Sequence, residues 1–147
     1  MTRVIQISDP HIVPYGQLAY GQVDTAKALA NCVETINRSL SEIGPVDMVI
    51  VAGDLTDFGT AEEYKRFRTL MEPLELPFRA VPGNHDNVAE MRACFSDQLW
   101  MPTEGPINWT LDFDDLVLIG LDSSLAGKAH GHLSNTTLSF LSKTLDA

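Results

Sequence analysis

Apolar residues along the chain alternate between short continuous runs and longer stretches with helical spacing. The runs 4–7, 48–51 and 78–81 contain few polar positions, and such runs are typical of strands buried in a mainly parallel sheet. Between them, the stretches 24–43 and 60–71 repeat apolar side chains three and four positions apart, which predicts amphipathic helices. The alternation of strands and helices predicts an α/β fold.

Capping residues and glycines indicate where the predicted helices begin and end. Asp24 can cap the first helix, which ends at Gly44-Pro45, and its inward positions are Ala26, Leu29, Ala30, Val33, Ile36, Leu40 and Ile43. Thr60 and Glu63 have the spacing of a capping box, ahead of an apolar face formed by Tyr64, Phe67, Leu70 and Met71. A third, shorter helix is predicted to begin at Asn87, with inward side chains at Met91, Cys94 and Phe95.

The C-terminal third of the chain has the pattern of a β-hairpin followed by a helix. Apolar and polar residues alternate over 109–113, two aspartates at 114–115 predict the turn, and the apolar run 116–119 predicts the returning strand. Ser134 can cap a final helix whose inward side chains are Leu138, Leu141 and Leu145. No repeat or low-complexity tract interrupts the pattern, so we expect a single domain over residues 1–147.

Composition and charge narrow the functional classes. The chain has 10 basic and 20 acidic residues, a formal net charge of −10, which disfavours nucleic acid and anionic membrane as partners. No apolar stretch approaches the ~20 residues of a membrane span, and the N-terminal residues show no signal-peptide pattern, so we expect a cytoplasmic protein. Cys32 and Cys94 are expected as buried helical thiols, although the sequence alone also allows a disulfide between them.

Three polar clusters directly follow the three predicted strands: Asp9-Pro10-His11, Gly53-Asp54 and Gly83-Asn84-His85-Asp86. Because the carboxyl ends of parallel strands share one edge of a sheet, we expect the clusters to meet there. Carboxylate, imidazole and amide oxygen suit Mn, Fe, Zn or Co, and the carboxylate of Asp54 can bridge two ions held roughly 3.5–4 Å apart. The glycine that begins each of the last two clusters is expected to let the backbone turn sharply.

At these residues the sequence resembles the calcineurin-like phosphoesterase superfamily, whose motifs run D-x-H, G-D and G-N-H-[DE]. All three motifs are present in that order, and the segments 53–57, 81–86, 121–124 and 131–134 are similar to the branch of cyclic-nucleotide phosphodiesterases and glycerophosphodiesterases. The resemblance implies the first half of a four-layer α/β/β/α metallophosphoesterase sandwich, with a mixed, mainly parallel sheet and a hairpin. It also implies hydrolysis of a small phosphodiester, such as a glycerophosphodiester or a 3',5'-cyclic nucleotide.

The resemblance further implies a role for each site residue. Two divalent ions, of Fe, Mn, Zn or Co, would be held by Asp9, His11, Asp54 and Asn84. In that arrangement Asp54 bridges the ions, and a metal-bound hydroxide attacks the phosphorus. His85 would stand beside the substrate phosphate as the catalytic side chain. Independently of the resemblance, Asp86 is expected to orient the neighbouring His85 ring.

The sequence also departs from the family, whose members continue into a second half that supplies further histidine ligands and a late G-H-x-H motif. We therefore expect the domain at 1–147 to lack its C-terminal half and to hold at most one metal tightly. A truncated, catalytically incompetent half-domain is accordingly the alternative function. We also expect an uncovered sheet face, which self-association into a homo-oligomer would cover.

Other interpretations of these residues compete with the family assignment. His130-Gly131-His132 imitates the late family motif and could chelate a metal, although the resemblance places it in a loop before the last helix. Asp57, Asp86 and Asp122 are more typical of turns or caps than of ligands. Large aromatic side chains are expected in the packing rather than at the substrate, namely Trp100, Trp109 and Phe113.

Two further functional classes are alternatives to a metallophosphodiesterase. A phosphoryl-accepting α/β protein could use Asp9 or Asp54 at a strand end, but this function leaves Asn84 and His85 unexplained and requires a lysine that is not suitably placed. A nuclease is disfavoured by the net charge of −10 and by the lack of a basic stripe.

Overall fold

The elements follow one another in the predicted alternating order. The structure, a computed structural model, describes residues 1–146, and its helices and strands are β1 (Val4–Ile7), α1 (Thr25–Ile43), β2 (Met48–Ala52), α2 (Ala61–Met71), β3 (Phe78–Val81), α3 (Val88–Cys94), β4 (Trp109–Asp112), β5 (Val117–Gly120) and α4 (Asn135–Leu145). Every predicted strand and helix is present, with ends within one or two positions of the prediction.

The central sheet is three-stranded and parallel, in the order β1-β2-β3. Its middle strand is the most apolar of the three, and Met48, Val49 and Val51 are at most 1% exposed. Helix α1 packs against α2 and α2 against α3, so the helices between the strands cover one face. The three carboxyl ends of the strands therefore lie side by side at one edge of the sheet.

The core lies between this sheet and the helices. Phe67 of α2 meets Phe78 and Phe95 edge-on, with all three ring centroids 6.1–6.3 Å apart, an arrangement that aromatic quadrupoles favour. The predicted caps are confirmed, because the Thr60 and Glu63 side chains cap α2 reciprocally and the Asp24 carboxylate accepts a hydrogen bond from the backbone of α1.

The predicted hairpin is confirmed, but it forms a two-stranded sheet of its own within residues 1–146 instead of extending the parallel sheet. Side chains attach it to β3. The indole of Trp109 donates to the Ala80 carbonyl at 2.7 Å, and the guanidinium of Arg79 lies over the Trp109 ring at 5.4 Å and donates to the Thr110 carbonyl. The predicted α/β fold with a parallel sheet and a hairpin is therefore confirmed, and the hairpin is a separate antiparallel sheet within residues 1–146.

The inward direction predicted for the last helix is wrong for two of its three leucines, while Leu141 is half-buried. Leu138 is 46% exposed and Leu145 is 70% exposed, whereas Thr137 in the first turn is the buried residue of α4. In α1, Ala30 and Ile43 are also exposed against expectation. Helical spacing identifies an apolar face, but whether that face is covered depends on which elements pack against it.

Several smaller features bear on the sequence predictions. Cys32 and Cys94 are free, half-buried thiols, and burial raises the pKa of both. None of the helices within residues 1–146 has both the length and the apolar character needed to cross a bilayer. The strands leave apolar side chains at the surface, with Val4 36% and Val117 48% exposed, while the self-association expected from such a surface stays a prediction.

Candidate metal centre

The loops that follow β1 and β2 are joined by backbone hydrogen bonds. The amides of Asp9, His11 and Ile12 donate to the carbonyls of residues 53, 54 and 55 at 3.2, 2.9 and 3.1 Å, and the Asp57 amide returns a bond to the Ile12 carbonyl at 3.1 Å. The pairing of the two strands thus continues irregularly into the loops. It places the first two polar clusters of the sequence side by side.

Three of the predicted metal ligands have a left-handed backbone. The φ angles of Asp9, His11 and Asp54 are +54°, +42° and +48°, a region that residues other than glycine seldom adopt and that costs roughly 1–2 kcal/mol per residue. Aspartate and histidine are among the side chains that tolerate it best. Strain of this kind concentrates at functional sites, where surrounding contacts hold it in place.

Asp9, His11 and Asp54 form one group that could hold a metal ion, since each offers a ligand atom within 4.8 Å of the others. The Nε2 atom of His11 lies 3.7 Å from Oδ2 of Asp54. Asp54 is buried and His11 half-buried, whereas Asp9 is exposed. Two carboxylates and one imidazole are a donor set suited to divalent transition metals, so the residues fit the predicted ion.

Asp57, which the sequence suggested to be a turn or cap residue, contacts both histidines of the site. Its carboxylate Oδ1 lies 3.1 Å from Nδ1 of His11, and its carbonyl oxygen lies 2.8 Å from Nδ1 of His85. Carboxylate and carbonyl oxygens only accept, so both imidazoles donate from Nδ1 and keep Nε2 free as an acceptor or ligand atom. The missed signal was its position three residues after Asp54, in the same strand-end loop.

His11, Asp57 and His85 also satisfy the distances of a metal group. We favour Asp9, His11 and Asp54 as the ligands, because the Nδ1 atoms of both histidines already donate to Asp57. A carboxylate behind a ligating histidine fixes the tautomer and raises the basicity of the ring. Asp57 thus lies on the Nδ1 side of both rings.

His85 stands next to the ligand group. Its backbone amide donates to Oδ1 of Asp54 at 2.8 Å, and its ring meets the His11 ring edge-on, with centroids 4.7 Å apart. The His85 side chain is 35% exposed. Asn84 is exposed and lines the same cleft as His85, so these two residues of the third polar cluster lie at the cleft beside the first two clusters.

Asp86 contacts the loop backbone instead of the His85 ring. Its carboxylate accepts from the amides of Leu55, Thr56 and Gly83 at 3.1, 3.2 and 2.9 Å, and from the hydroxyl of Tyr64 at 2.9 Å. The prediction that Asp86 orients the imidazole finds no such contact among residues 1–146, where Asp57 makes it. Asp86 instead joins the loops after β2 and β3.

Burial is the main cause of the raised pKa values of Asp86 and Tyr64. Desolvation raises the pKa of its carboxyl group, while the hydrogen bonds from Gly83 and Leu55 oppose the rise. Desolvation and the nearby Asp86 charge raise the pKa of the Tyr64 hydroxyl, so this group keeps its proton. Tyr64 therefore stays a hydrogen-bond donor to the Asp86 carboxylate.

The two glycines that precede the polar clusters act differently. Gly53 has φ +82°, as the predicted sharp turn requires. Gly83 has no such angle, but a Cβ atom there would overlap the side chain and backbone nitrogen of Asp54. Gly83 is therefore needed because Asp54 approaches it closely. The sharp turn predicted at this position does not explain the glycine.

A cleft of about 470 Å³ opens beside His85 and Asn84, with Phe58, Leu125 and His132 also on its walls. His132 faces this cleft, yet neither it nor His130 belongs to a metal group among residues 1–146. Asp122 accepts from the backbone of Ile107 and Ser124 at 3.0 and 2.9 Å, which agrees with the turn role predicted for it.

The chain is similar to a known protein family and to several curated phosphodiesterases. The family described as calcineurin-like phosphoesterase matches residues 2–146. A probable glycerophosphodiester phosphodiesterase of Arcobacter nitrofigilis is 41% identical over 97% of this chain and 51% of its own length. A cAMP/cGMP dual specificity phosphodiesterase of Mycobacterium tuberculosis is 33% identical over 97% of this chain and 44% of its own length.

A 3',5'-cyclic adenosine monophosphate phosphodiesterase of Pseudomonas aeruginosa is 30% identical over 98% of the chain and 50% of its own length. The chain thus spans about half the length of the curated relatives it matches. Among solved structures, a purple acid phosphatase from yellow lupin seeds superposes with a TM-score of 0.63 at 17% identity, over 99% of this chain and 28% of that one. This likeness shows a shared fold.

Proposed function

Because the chain belongs to the calcineurin-like phosphoesterase family, we propose that it carries the metal-binding part of a phosphodiester hydrolase. The observation that carries the proposal is the grouping of Asp9, His11 and Asp54, whose ligand atoms lie within 4.8 Å of one another. This group lies beside His85, at the end of a parallel sheet where α/β folds place their ligands.

Asp54 is proposed to bridge two divalent ions. Its Oδ2 faces Nε2 of His11 at 3.7 Å, and its Oδ1 faces the loop of Asn84 and His85, where it accepts from the His85 amide at 2.8 Å. The two oxygens thus point toward different loops. Asp9 and His11 would hold one ion on the first side, and Asn84 would hold the other on the second.

His85 is proposed to act on the phosphate group. When bound, two such ions would act as Lewis acids and lower the pKa of a coordinated water, which supplies the nucleophile. His85 keeps Nδ1 bonded to the Asp57 carbonyl, so Nε2 is the atom that can donate a proton to the leaving oxygen. The Asp57 carboxylate, 3.6 Å from Nδ1, would stabilise the protonated ring.

The substrate is proposed to be a small phosphodiester. The named relatives include a glycerophosphodiester phosphodiesterase and cyclic-nucleotide phosphodiesterases. A net charge of −10 disfavours a polyanionic nucleic acid, because the field of the protein repels it. The bound ions would offset this charge locally at the site.

A catalytically incompetent half-domain is the second candidate, because Asn84 and the shared Asp54 would be few ligands for the second ion. Metal titration with an aryl phosphodiester substrate separates the two functions. We expect turnover that rises with added Mn²⁺ or Co²⁺, stops with excess chelator and returns on readdition of metal. If the parent binds metal but its turnover does not exceed that of an Asp54→Asn variant, the result would support the half-domain and contradict a hydrolase.

A further inference from the structure

Phe58 is a large apolar side chain at the surface, next to the candidate catalytic histidine. It is 65% exposed and lines the cleft of about 470 Å³ together with Asn84 and His85. Phe58 follows Asp57 directly, and the Asp57 carbonyl accepts from Nδ1 of His85. Among the described residues that line this cleft, Phe58 supplies the one benzene ring.

The backbone around Phe58 is held by a buried carboxylate. Glu63, which is 0% exposed, accepts through Oε2 from the amides of Phe58 and Thr60 at 3.2 and 2.9 Å. Gly59 lies so close to the His85–Asn87 backbone that a Cβ atom would come within 3.1 Å of the His85 carbonyl oxygen. The exposed ring is therefore carried by a segment fixed on both sides, which lowers the entropy that a contact with a ligand would cost.

The remaining walls of the cleft suit an organic group larger than glycerol. Leu125, 38% exposed, adds apolar surface, and the amide of Asn84 and the imidazole of His132 add polar atoms. Polar side chains such as Ser124 and Ser134 also line the cleft. Its volume lies within the roughly 300–1,000 Å³ that is typical of sites for small organic molecules.

We propose that this cleft holds the nucleoside of a nucleotide phosphodiester, with the Phe58 ring stacked on the base. The inference rests on the proposed hydrolase function and names its substrate class. A flat aromatic ring stacks on every base, whereas glycerol offers it no planar partner. Phe58 thus acts as a specificity-determining residue, and the metal-proximal side chains act on the phosphate.

The test compares two substrates on the metal-loaded chain, 3',5'-cyclic AMP and glycerophosphoethanolamine, with the parent, Phe58→Ala and Phe58→Tyr. We expect Phe58→Ala to lower the ratio of their kcat/KM values by about tenfold through a higher KM for the nucleotide, and Phe58→Tyr to restore it. A ratio that does not change in Phe58→Ala, or that falls equally in Phe58→Tyr, would overturn the inference. Thermal unfolding of the variants checks that the fold is kept.

Binding of adenosine monophosphate, measured by calorimetry on the metal-loaded protein, separates this inference from the proposed function. If no diester is hydrolysed, the hydrolase proposal fails, yet stacking still predicts that Phe58→Ala weakens nucleotide binding by about tenfold. Equal affinity in parent and variant, or no nucleotide binding by the parent, would overturn the stacking role even where glycerol diesters are hydrolysed.

Discussion

The carboxylate of Asp57 lies 3.1 Å from Nδ1 of His11, on the side of the ring opposite the atom that faces Asp54. This contact fixes the His11 tautomer that can bind a metal. We expect Asp57→Asn to weaken divalent metal binding by roughly 10- to 100-fold, as measured by calorimetric titration. Asp114→Asn removes an equal charge from an exposed turn and serves as the control. Equal affinities for the two variants would show that Asp57 does not support the ligand.

Asp54 is expected to tolerate substitution least, because its two carboxylate oxygens face His11 on one side and the His85 amide on the other. Asp54→Asn keeps the shape and can still accept from the His85 amide, but it removes the anionic charge shared by the ions. We expect turnover to fall by several orders of magnitude, and metal stoichiometry by elemental analysis to drop, while circular dichroism stays that of the parent. Near-parental turnover at matched metal content would contradict the bridging role.

His85 is expected to affect turnover more than metal content. Its Nδ1 is bonded to the Asp57 carbonyl and its ring lies outside the Asp9, His11 and Asp54 group. His85→Gln should therefore bind metal nearly as the parent does and lose roughly 10²–10⁴-fold in kcat if the ring is a general acid. Equilibrium dialysis checks metal content in parallel, and a matching loss of metal would make His85 a ligand.

Asp86 is expected to matter for stability through its contacts with the loops after β2 and β3. An asparagine there would turn an NH₂ group toward donors that now bond to a carboxylate, and leaving such buried groups unpaired costs about 2–3 kcal/mol in the free energy of unfolding. Denaturant unfolding of Asp86→Asn measures this loss. Tyr64→Phe, which removes one of the donors to Asp86, should lower the free energy of unfolding by a smaller amount. A larger loss in Tyr64→Phe than in Asp86→Asn would contradict the role of Asp86 in joining the loops.

Asp97 and Arg68 form an ion pair outside the cleft and the metal group, and its contribution to stability should depend on pH. A hydrogen bond from Arg68 lowers the pKa of the Asp97 carboxyl to about 2. Because the folded pKa is depressed, the contribution of this contact is present above the ordinary value of ~3.9 and is lost as the pH falls through the folded value. The difference in unfolding free energy between parent and Asp97→Asn should therefore shrink as the pH falls below ~3.9. In Arg68→Gln, the pKa of Asp97 measured by NMR should return toward ~3.9; a pKa that stays depressed would exclude Arg68 as the cause.

The elements and the order of the polar clusters could be predicted from the sequence because their causes are local. Apolar spacing identified α1 and β2, and the side chains of Thr60 and Glu63 specified a helix start within one turn. Because parallel strands end at one edge of a sheet, the sequence also predicted that Asp9, His11 and Asp54 lie close together. Their metal-ligand roles, with those of Asn84 and His85, are predictions that the experiments above address.

Only the tertiary structure decided which side chains support the site. Asp57 looked like a turn residue in sequence, yet the joining of two loops placed it behind both imidazoles. Gly83 is required by the approach of Asp54 from another loop, and the exposed Leu138 of α4 depends on what packs beside that helix. Each of these facts arises between segments that are distant in the chain. Periodicity and capping report the preferences of neighbouring residues, whereas such contacts exist only once the chain has folded.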